Sequence, residues 1–479
     1  MTLGRNAAFV TGANIAGQVL QLAALPLISR YATPADFGTY TLFVGFCSIA
    51  SVLAGLRYDS AIMVAGSQAQ AASLARLVML LGLCTGALAF MFGWPALIAL
   101  AKFPLGSSAL LAALASAYLI GNCALRIATN WLVRQVRFVW VGALQFIAVS
   151  LTVASQLILL AIGVDPLAAL ASGFAFGQVA GAIFIFVTAA SGQSWIGHGR
   201  RRELNAVARR FISFPRYMVL YGLNSALRER LVYVVIGWGA GAAALGKFAM
   251  VQRMVGAPHA FMHGGIGPTL LSHARDVSRD EAARMAASLV ELSGLVLTPF
   301  IIFLMFNAEQ LARSFFGTSW IGLGAYVPWL ALTYLVLACT GFIDRLFELY
   351  GNQRVALNLD FVFTVVMLGG LLIAGKSSNG LVMTATFGFI YLIYEIYWTL
   401  VAHRANSLPL HALKRAGLVF AFQIVFWSVV CALLLFVSIL SWRVSIVSLL
   451  IPIVFIAHYR WLGGRDVVRS LFSPSGVLA

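Results

Sequence analysis

The stretch FISFPRYMVLYGLNSALRERLVYVVIGW, residues 211–238, is long and apolar enough to cross a lipid bilayer, because a transmembrane helix needs about 20 mostly apolar residues. It also carries four charged side chains, Arg216, Arg228, Glu229 and Arg230. A charged group at the centre of a bilayer costs roughly 3 kcal/mol or more, so such groups face water, a partner charge or a charged ligand. The stretch therefore predicts a membrane helix that forms the cationic wall of a water-filled cavity.

The composition extends this prediction to the whole chain. Of the 479 residues, 61% are hydrophobic and 10% are charged, whereas a soluble domain has about 25% charged residues. Apolar runs of about 20 residues recur from end to end, so we predict an all-α polytopic membrane protein with about 14 transmembrane helices. The five cysteines lie far apart within apolar runs and are interpreted as small buried hydrophobic residues.

The net charge of +17 would also suit a nucleic-acid-binding protein, but the basic residues are concentrated in short connections between the apolar runs. In membrane proteins, Lys and Arg accumulate in cytoplasmic loops. Here they are most frequent in connections that follow even-numbered spans, such as the stretch that contains Arg201, Arg202, Arg209 and Arg210. The pattern predicts that both termini are cytoplasmic, and we do not expect nucleic acid as a partner.

An internal repeat predicts two lobes. Residues 37–40, Phe-Gly-Thr-Tyr, align with residues 245–248, Leu-Gly-Lys-Phe, when the first half of the chain is shifted onto the second. Because each half contains six predicted helices, both begin on the same side of the membrane, which predicts a parallel repeat around a central cationic cavity. The predicted segments are an N-terminal lobe at 1–190, a basic linker at 191–210, a C-terminal lobe at 211–402, two further helices at 403–462 and a cytoplasmic tail at 463–479.

Four arginines within or at the ends of predicted spans are candidates for lining this cavity: Arg57, Arg228, Arg230 and Arg253. Arg228 belongs to a polar stripe of its helix and Arg253 lies beside one, which favours positions facing water. Arg57 could equally anchor the cytoplasmic end of its helix. Arg230 could instead pair with Glu229 in a structural role.

Uncharged polar residues recur at helical spacing on several spans, which places them on one face of each helix. The candidates for lining the cavity are Asn14, Gln18, Gln21, Tyr221, Asn224 and His259. The alternative is that they form hydrogen bonds between helices, each contributing about 1 kcal/mol.

Three acidic residues within predicted spans, Glu291, Asp360 and Glu395, are candidates for coupling transport to H⁺ or Na⁺. The alternative is that each neutralises a nearby arginine. We predict no metal site, because His259 and His263 lack a third ligand. We also predict no bound cofactor, because GAAALGK at 241–247 lacks the strand and the Ser or Thr of a phosphate-binding loop.

Two stretches resemble a known family. The run LPLISRYATPADFGTYTLFVGFCSIASVLAGLRYDSAIMVA, residues 25–65, resembles the first two spans of polysaccharide biosynthesis membrane proteins. These are the lipid-linked oligosaccharide flippases of the multidrug/oligosaccharidyl-lipid/polysaccharide exporter superfamily. The run RERLVYVVIGWGAGAAALGKFAMVQRM, residues 228–254, is similar to the start of their second half. The resemblance implies a cationic lumen that binds a diphosphate. Arg57 and the Glu229–Arg230 pair lie in the matching stretches, so the resemblance supports their role in this lumen most directly.

The resemblance also implies a function. It is the translocation of an undecaprenyl-diphosphate-linked oligosaccharide, an O-antigen or exopolysaccharide repeat unit, from the cytoplasmic to the periplasmic leaflet by alternating access. It further implies a location in the bacterial inner membrane, with a polysaccharide polymerase and chain-length machinery as candidate partners. The first span lacks the internal ionic pair that some lipid II flippases carry, which disfavours a peptidoglycan precursor as the substrate.

Three alternatives to this function remain open: a drug exporter of the same superfamily, an integral polysaccharide-assembly enzyme, and a non-transporting scaffold. The arginines disfavour a cavity for cationic drugs. No connection is long enough to form a catalytic domain, so we predict no enzyme activity.

Overall fold

A computed structural model describes residues 3–93, 108–188, 201–275 and 277–434, and within these ranges the regular structure is entirely helical. The helices up to residue 240 are α1 (Leu3–Ile28), α2 (Pro34–Ala54), α3 (Tyr58–Val64), α4 (Gln68–Leu88), α5 (Ser108–Arg134), α6 (Phe138–Ala161), α7 (Pro166–Thr188), α8 (Arg201–Arg210) and α9 (Val219–Ala240). The helices that follow are α10 (Ala242–Ala274), α11 (Arg279–Phe306), α12 (Ala308–Phe316), α13 (Val327–Thr340), α14 (Arg345–Leu349), α15 (Gln353–Gly375), α16 (Gly380–Ala405) and α17 (Leu410–Leu434).

The chain forms two compact units. The first contains Met1–Met250, Phe315–Trp320 and Leu371–Met383, and the second contains Val251–Ser314, Ile321–Gly370 and Thr384–Ala479. The first unit therefore extends past the predicted linker and includes α9. The lobe limits at residues 190 and 402 stay predictions.

Eleven helical stretches among the described residues are long and apolar enough to span a membrane. They correspond to the spans predicted at 7–29, 38–65, 74–98, 108–131, 139–163, 166–190, 284–306, 322–343, 355–375, 379–402 and 416–440. Helices α9 and α10 occupy the positions of the spans predicted at 211–237 and 246–271 but are not among the eleven, and α9 carries three adjacent charged residues at 228–230. The last predicted span, 443–462, and the tail at 463–479 lie outside the described residues. The chain is a polytopic helical membrane protein, and the count of 14 spans stays a prediction.

The second predicted span, expected over residues 38–65, is two helices instead of one. Helix α2 ends at Ala54, and α3 begins at Tyr58 after a turn through Gly55, Leu56 and Arg57. The start of α2 follows from its sequence. Thr33 caps the helix by accepting a hydrogen bond from the backbone N–H of Asp36, and the Asp36 carboxylate accepts one from the backbone N–H of Thr33.

Helix α2 and the start of α10 approach each other very closely within the first unit. A Cβ atom at Gly38 would overlap the carbonyl oxygen of Ala242, and a Cβ atom at Gly246 would overlap the carbonyl oxygen of Pro34. Membrane helices use such small residues because close packing is a main source of their association. Gly38 and Gly246 are also the pair that the internal repeat aligns, so the two contacts are reciprocal, as expected at equivalent positions of a repeat.

The substitution Gly38→Ala is expected to lower the stability of the protein by about 1–3 kcal/mol, because the added methyl group must displace backbone atoms. The loss opposes the normal preference of a helix for alanine over glycine, about 0.5–1 kcal/mol. The matched control is Gly12→Ala, where a Cβ atom would meet nothing within 4 Å among the described atoms. Thermal unfolding of the detergent-solubilised variants should give a lower midpoint for Gly38→Ala. Equal midpoints for the two variants would show that the helices can separate at no cost.

Candidate functional site

The turn between α2 and α3 holds its backbone in an unusual conformation. Leu56 and Arg57 are consecutive non-glycine residues with positive φ angles of 44° and 59°. Each such residue costs on the order of 1–3 kcal/mol and persists only where its surroundings enforce it, most often at functional sites. The turn directs the Arg57 side chain back along α2 towards α9. A Cβ atom at Gly222 of α9 would lie 3.3 Å from both Nε and Nη2 of Arg57.

The Arg57 guanidinium is only partly satisfied in this position. Its Nε–H group is buried and has no hydrogen-bond acceptor among the described residues. A buried donor without an acceptor costs about 1–3 kcal/mol, and more when it is charged. An anionic ligand at this position would remove that cost, so the strained turn and the unsatisfied donor mark the same site.

Short helix α3, which follows the turn, is fixed by contacts with two other helices. Arg134 of α5 donates hydrogen bonds to the carbonyl oxygens of Ile62, at 3.2 Å, and of Ala65 at the carboxyl end of α3. A cation at this end of a helix also interacts favourably with the helix dipole. On the other side, the Tyr58 hydroxyl donates to the carbonyl oxygen of Ala208 in α8, at 3.1 Å. Helix α8, which lies within the predicted basic linker, therefore helps to hold the turn that carries Arg57.

A second arginine of the first unit, Arg126 of α5, lies beside α2. Its Nη2 group donates a hydrogen bond to the Ser51 hydroxyl at 3.3 Å, and the Arg126 side chain is half-buried. Arg126 is not among the four arginines that the sequence assigned to the cavity. The sequence contains a pattern that points to Arg126. It is a cation inside an apolar run, with Asn122 and Asn130 one helical turn away on each side.

The third arginine beside α2 is Arg230, near the middle of α9. Its guanidinium donates to the Tyr233 hydroxyl at 3.1 Å and lies 3.7 Å from the Glu229 carboxylate. A Cβ atom at Gly45 of α2 would lie 3.8 Å from Cβ of Arg230. The side chains of Arg230 and Glu229 remain 30% and 55% exposed. The assignment of Arg230 to a water-filled cavity stays a prediction.

Arg228 lies on a different side of α9 from Arg230. Residues two apart on a helix point about 200° away from each other, since each residue turns the helix by about 100°. Arg230 packs towards α2, so the half-buried Arg228 points away from the α2 surface. The described contacts place Arg57 and Arg230 close to α2. The role of Arg228 in binding a substrate stays a prediction.

The polar residues that were predicted to line the cavity from α1 and α9 differ in their exposure. On α1, Asn14 and Gln21 are exposed and Gln18 is half-buried, while the opposite side of the helix packs against α6. On α9, Asn224 is half-buried. The side chain of Tyr221 lies outside the described residues. Their assignment to a water-filled cavity stays a prediction.

The predicted stripe on α10 packs against another helix. Gln252 donates to the Tyr334 hydroxyl of α13 at 2.6 Å, and Nδ1 of His259 lies 3.3 Å from the carbonyl oxygen of Leu337. These contacts match the alternative that the stripe joins helices by hydrogen bonds. Arg253 is half-buried on the same helix, within the second unit. Its role in binding a substrate stays a prediction.

The three predicted coupling carboxylates lie on separate helices of the second unit. Glu291 is buried, with Nε of Arg415 at 3.9 Å from its carboxylate. Asp360 accepts a hydrogen bond from the Tyr394 hydroxyl, and the Tyr394 ring stacks on Phe363. Glu395 is 4% exposed. Within the described residues no three His, Cys, Asp or Glu side chains cluster as metal ligands would. Ion coupling by these carboxylates stays a prediction.

The second unit also contains a cleft of about 460 Å³, lined by Ala274, Arg275, Val277, Glu348, Leu349 and Tyr350. The Arg279 guanidinium lies 5.2 Å from the centre of the Tyr350 ring. Burial raises the pKa of the Tyr350 hydroxyl, an effect that the charge of Arg279 partly offsets. Since the cleft contains both Arg275 and Glu348, its charge selects ions of neither sign.

Comparison with known proteins identifies both sequence and structural relatives. A family model described as polysaccharide biosynthesis protein matches residues 27–324. The lipid II flippase MurJ, in an inward closed conformation, has a similar structure, with a TM-score of 0.73, 13% sequence identity, and coverage of 95% of this chain and 99% of MurJ. An inward-facing multidrug resistance MATE family transporter of the MOP superfamily has a TM-score of 0.62, 17% identity, and coverage of 83% and 96%. No curated protein sequence matches the chain. The chain therefore has the fold of these transporters.

The substitution Arg134→Ala is expected to loosen α3, because it removes the charged donor at the end of that helix; a hydrogen bond to a charged group contributes about 1.5–3 kcal/mol. Hydrogen exchange followed by mass spectrometry should show faster exchange of the amides at 58–64. The control is Arg137→Ala, because the exposed Arg137 makes no side-chain hydrogen bond at the start of α6. Unchanged exchange in Arg134→Ala would show that other contacts fix the turn.

Proposed function

The chain belongs to the polysaccharide biosynthesis protein family, and on this premise we propose that it is a flippase for a lipid-linked oligosaccharide. The cargo would be an undecaprenyl-diphosphate-linked repeat unit of O-antigen or exopolysaccharide, moved from the cytoplasmic to the periplasmic leaflet by alternating access. The protein would work in the bacterial inner membrane with both termini in the cytoplasm. Its role would be transport and not catalysis.

The observation that carries the proposal is the unsatisfied guanidinium of Arg57. Its buried Nε–H group has no acceptor among the described residues, on a strained turn at the end of α2 that is predicted to be cytoplasmic. A diphosphate supplies several anionic oxygens, and the planar fork of an arginine binds such groups with two parallel hydrogen bonds. Arg230 adds a second cation deeper along the same helix.

The physical task of a flippase fits this arrangement. A diphosphate headgroup cannot enter hydrocarbon without losing its hydration, so a protein must provide donors along the way. The prenyl tail can remain in the lipid. A membrane potential that is negative inside favours outward movement of an anion by about 2.3 kcal/mol per charge per 100 mV. If H⁺ or Na⁺ also drives the cycle, Glu291, Asp360 and Glu395 are the residues through which we propose it acts.

The sign of the charge distinguishes this proposal from drug export. The fold is shared with a multidrug transporter, so the fold alone does not decide between them. Arg57, Arg126 and Arg230 all lie close to α2 in the first unit, and three cations so placed would repel a cationic drug. An anionic cargo is therefore favoured. A polysaccharide polymerase and chain-length machinery are the proposed partners, because the translocated unit must be polymerised on the outer side.

Transport of a fluorescent undecaprenyl-diphosphate-linked oligosaccharide in reconstituted vesicles would test the function. The wild-type chain should move the lipid between leaflets, and Arg57→Ala or Arg230→Ala should each slow that movement by about tenfold or more, since each removes a charge-assisted contact. The control Arg137→Ala should transport at the wild-type rate. The proposal fails if the wild-type chain moves no lipid-linked glycan, or if it transports an organic cation instead.

A further inference from the structure

We propose that the surface along α2 contains two successive binding stations for the diphosphate, and that Arg126 and Tyr118 take part in them. The inner station is formed by Arg57 and Arg126, and the outer station by Arg230 with Tyr118 beside it. This inference rests on the proposed function, and it adds two substrate contacts and an order of binding.

The inner station follows from two contacts at the same level of α2. The Arg57 guanidinium and the Val52 side chain both pack against Gly222 of α9. A Cβ atom at Gly222 would lie 3.3 Å from the guanidinium and 3.2 Å from Val52. Arg126 donates to Ser51, the adjacent residue of α2. Two guanidinium groups therefore flank one level of α2. A diphosphate has two phosphate groups, so a pair of cations matches its charge.

The Arg126 side chain can exchange its present partner for a phosphate. Its bond to Ser51 is long, at 3.3 Å, and the acceptor is a neutral hydroxyl. Hydrogen bonds between a guanidinium and an anionic oxygen are shorter and about twice as strong as neutral ones. A bound phosphate would therefore replace the Ser51 hydroxyl as the partner of Arg126.

The outer station lies deeper along the same helix. Arg230 packs at Gly45, which is six residues from Ser51, or about 9 Å along a helix that rises 1.5 Å per residue. In the proposed order the diphosphate binds first at the level of Ser51 and then moves along α2 to the level of Gly45, where Arg230 lies.

Tyr118 of α5 lies beside the outer station. Its ring stacks on Phe174, with centroids 4.5 Å apart, and Phe174 also contacts Phe43, which is two residues from Gly45 on α2. A phenolic hydroxyl is both a donor and an acceptor. Its position suits a contact with the headgroup when the headgroup reaches Arg230.

The competing explanation is that Arg126 only joins α5 to α2 through Ser51. The two explanations differ in the effect of Ser51→Ala, which removes the interhelical bond but keeps the cation. If Arg126 is structural, Ser51→Ala should reproduce the effect of Arg126→Ala. If Arg126 binds substrate, Ser51→Ala should leave binding nearly intact.

Equilibrium binding of radiolabelled undecaprenyl diphosphate to the full-length chain in nanodiscs tests the inner station. Arg126→Ala is expected to weaken binding by about tenfold or more, because it removes a charge-assisted contact. Arg126→Lys should bind with intermediate affinity, since lysine keeps the charge without the fork. Ser51→Ala and Arg137→Ala should bind like the wild type. Wild-type affinity in Arg126→Ala, or equal losses in Ser51→Ala and Arg126→Ala, would overturn the assignment.

Thermal unfolding of each variant separates loss of binding from loss of folding. If Arg126→Ala does not fold, the affinities of Arg126→Lys and Ser51→Ala test the inner station instead. The inference requires Arg126→Lys to bind more weakly than the wild type and Ser51→Ala to bind like it. The wild-type measurements test the proposed function separately. A wild-type chain that binds and transports, together with an unaffected Arg126→Ala, would remove the inner station and leave the flippase proposal standing.

The order of the stations predicts a separation of binding from transport. Arg230→Ala and Tyr118→Phe should bind the probe within about threefold of the wild-type affinity, because both changes leave the inner station intact, and should transport the glycolipid more slowly, by about tenfold for Arg230→Ala. Arg57→Ala and Arg126→Ala should bind the probe more weakly than Arg230→Ala and Tyr118→Phe do. If Arg230→Ala lost affinity while Arg57→Ala and Arg126→Ala kept it, the proposed order would be wrong.

Discussion

The cost of placing a guanidinium at bilayer depth is the constraint on which the first unit depends. Each arginine beside α2 has a different solution to it. Arg126 donates to a serine hydroxyl, and Arg230 donates to a tyrosine hydroxyl and lies close to a neighbouring carboxylate. Arg57 is the least satisfied of the three, because its buried Nε–H group meets no acceptor among the described residues. A guanidinium has five N–H donors, and the contacts among the described residues use only some of them. Each of the three arginines therefore has donors left for an anion.

Close packing by glycine makes this arrangement of cations possible. Gly222 leaves room for the Arg57 guanidinium on α9, and Gly45 lets α9 approach α2 where Arg230 lies. At the far end of α2, Gly38 and Gly246 bring two helices into backbone contact. In a membrane, where lipid tails compete for apolar surface, such contacts hold helices together. Two of these glycines lie where arginines pack, Gly222 beside Arg57 and Gly45 beside Arg230.

Much of the helical framework could be predicted from the sequence, because hydropathy and length report directly on membrane helices. Charges within apolar runs likewise made Arg57 and Arg230 candidates for the site. The sequence did not predict the break of the second span at Leu56 and Arg57, because left-handed backbone conformations of ordinary residues are imposed by their surroundings. It did not include Arg126 among the four candidate arginines, because a polar stripe shows that residues share a face but not which helix that face meets.

The sequence by itself determined that this chain is a polytopic helical membrane protein, that it carries arginines at bilayer depth, and that it resembles polysaccharide flippases. These properties follow from local composition and from short motifs. Only the tertiary structure decided which arginines lie close to α2. It placed Arg57 against Gly222, Arg126 against Ser51 and Arg230 against Gly45. The physical reason is that the grouping depends on contacts between α2, α5 and α9, which are distant in the chain and adjacent only after the helices pack.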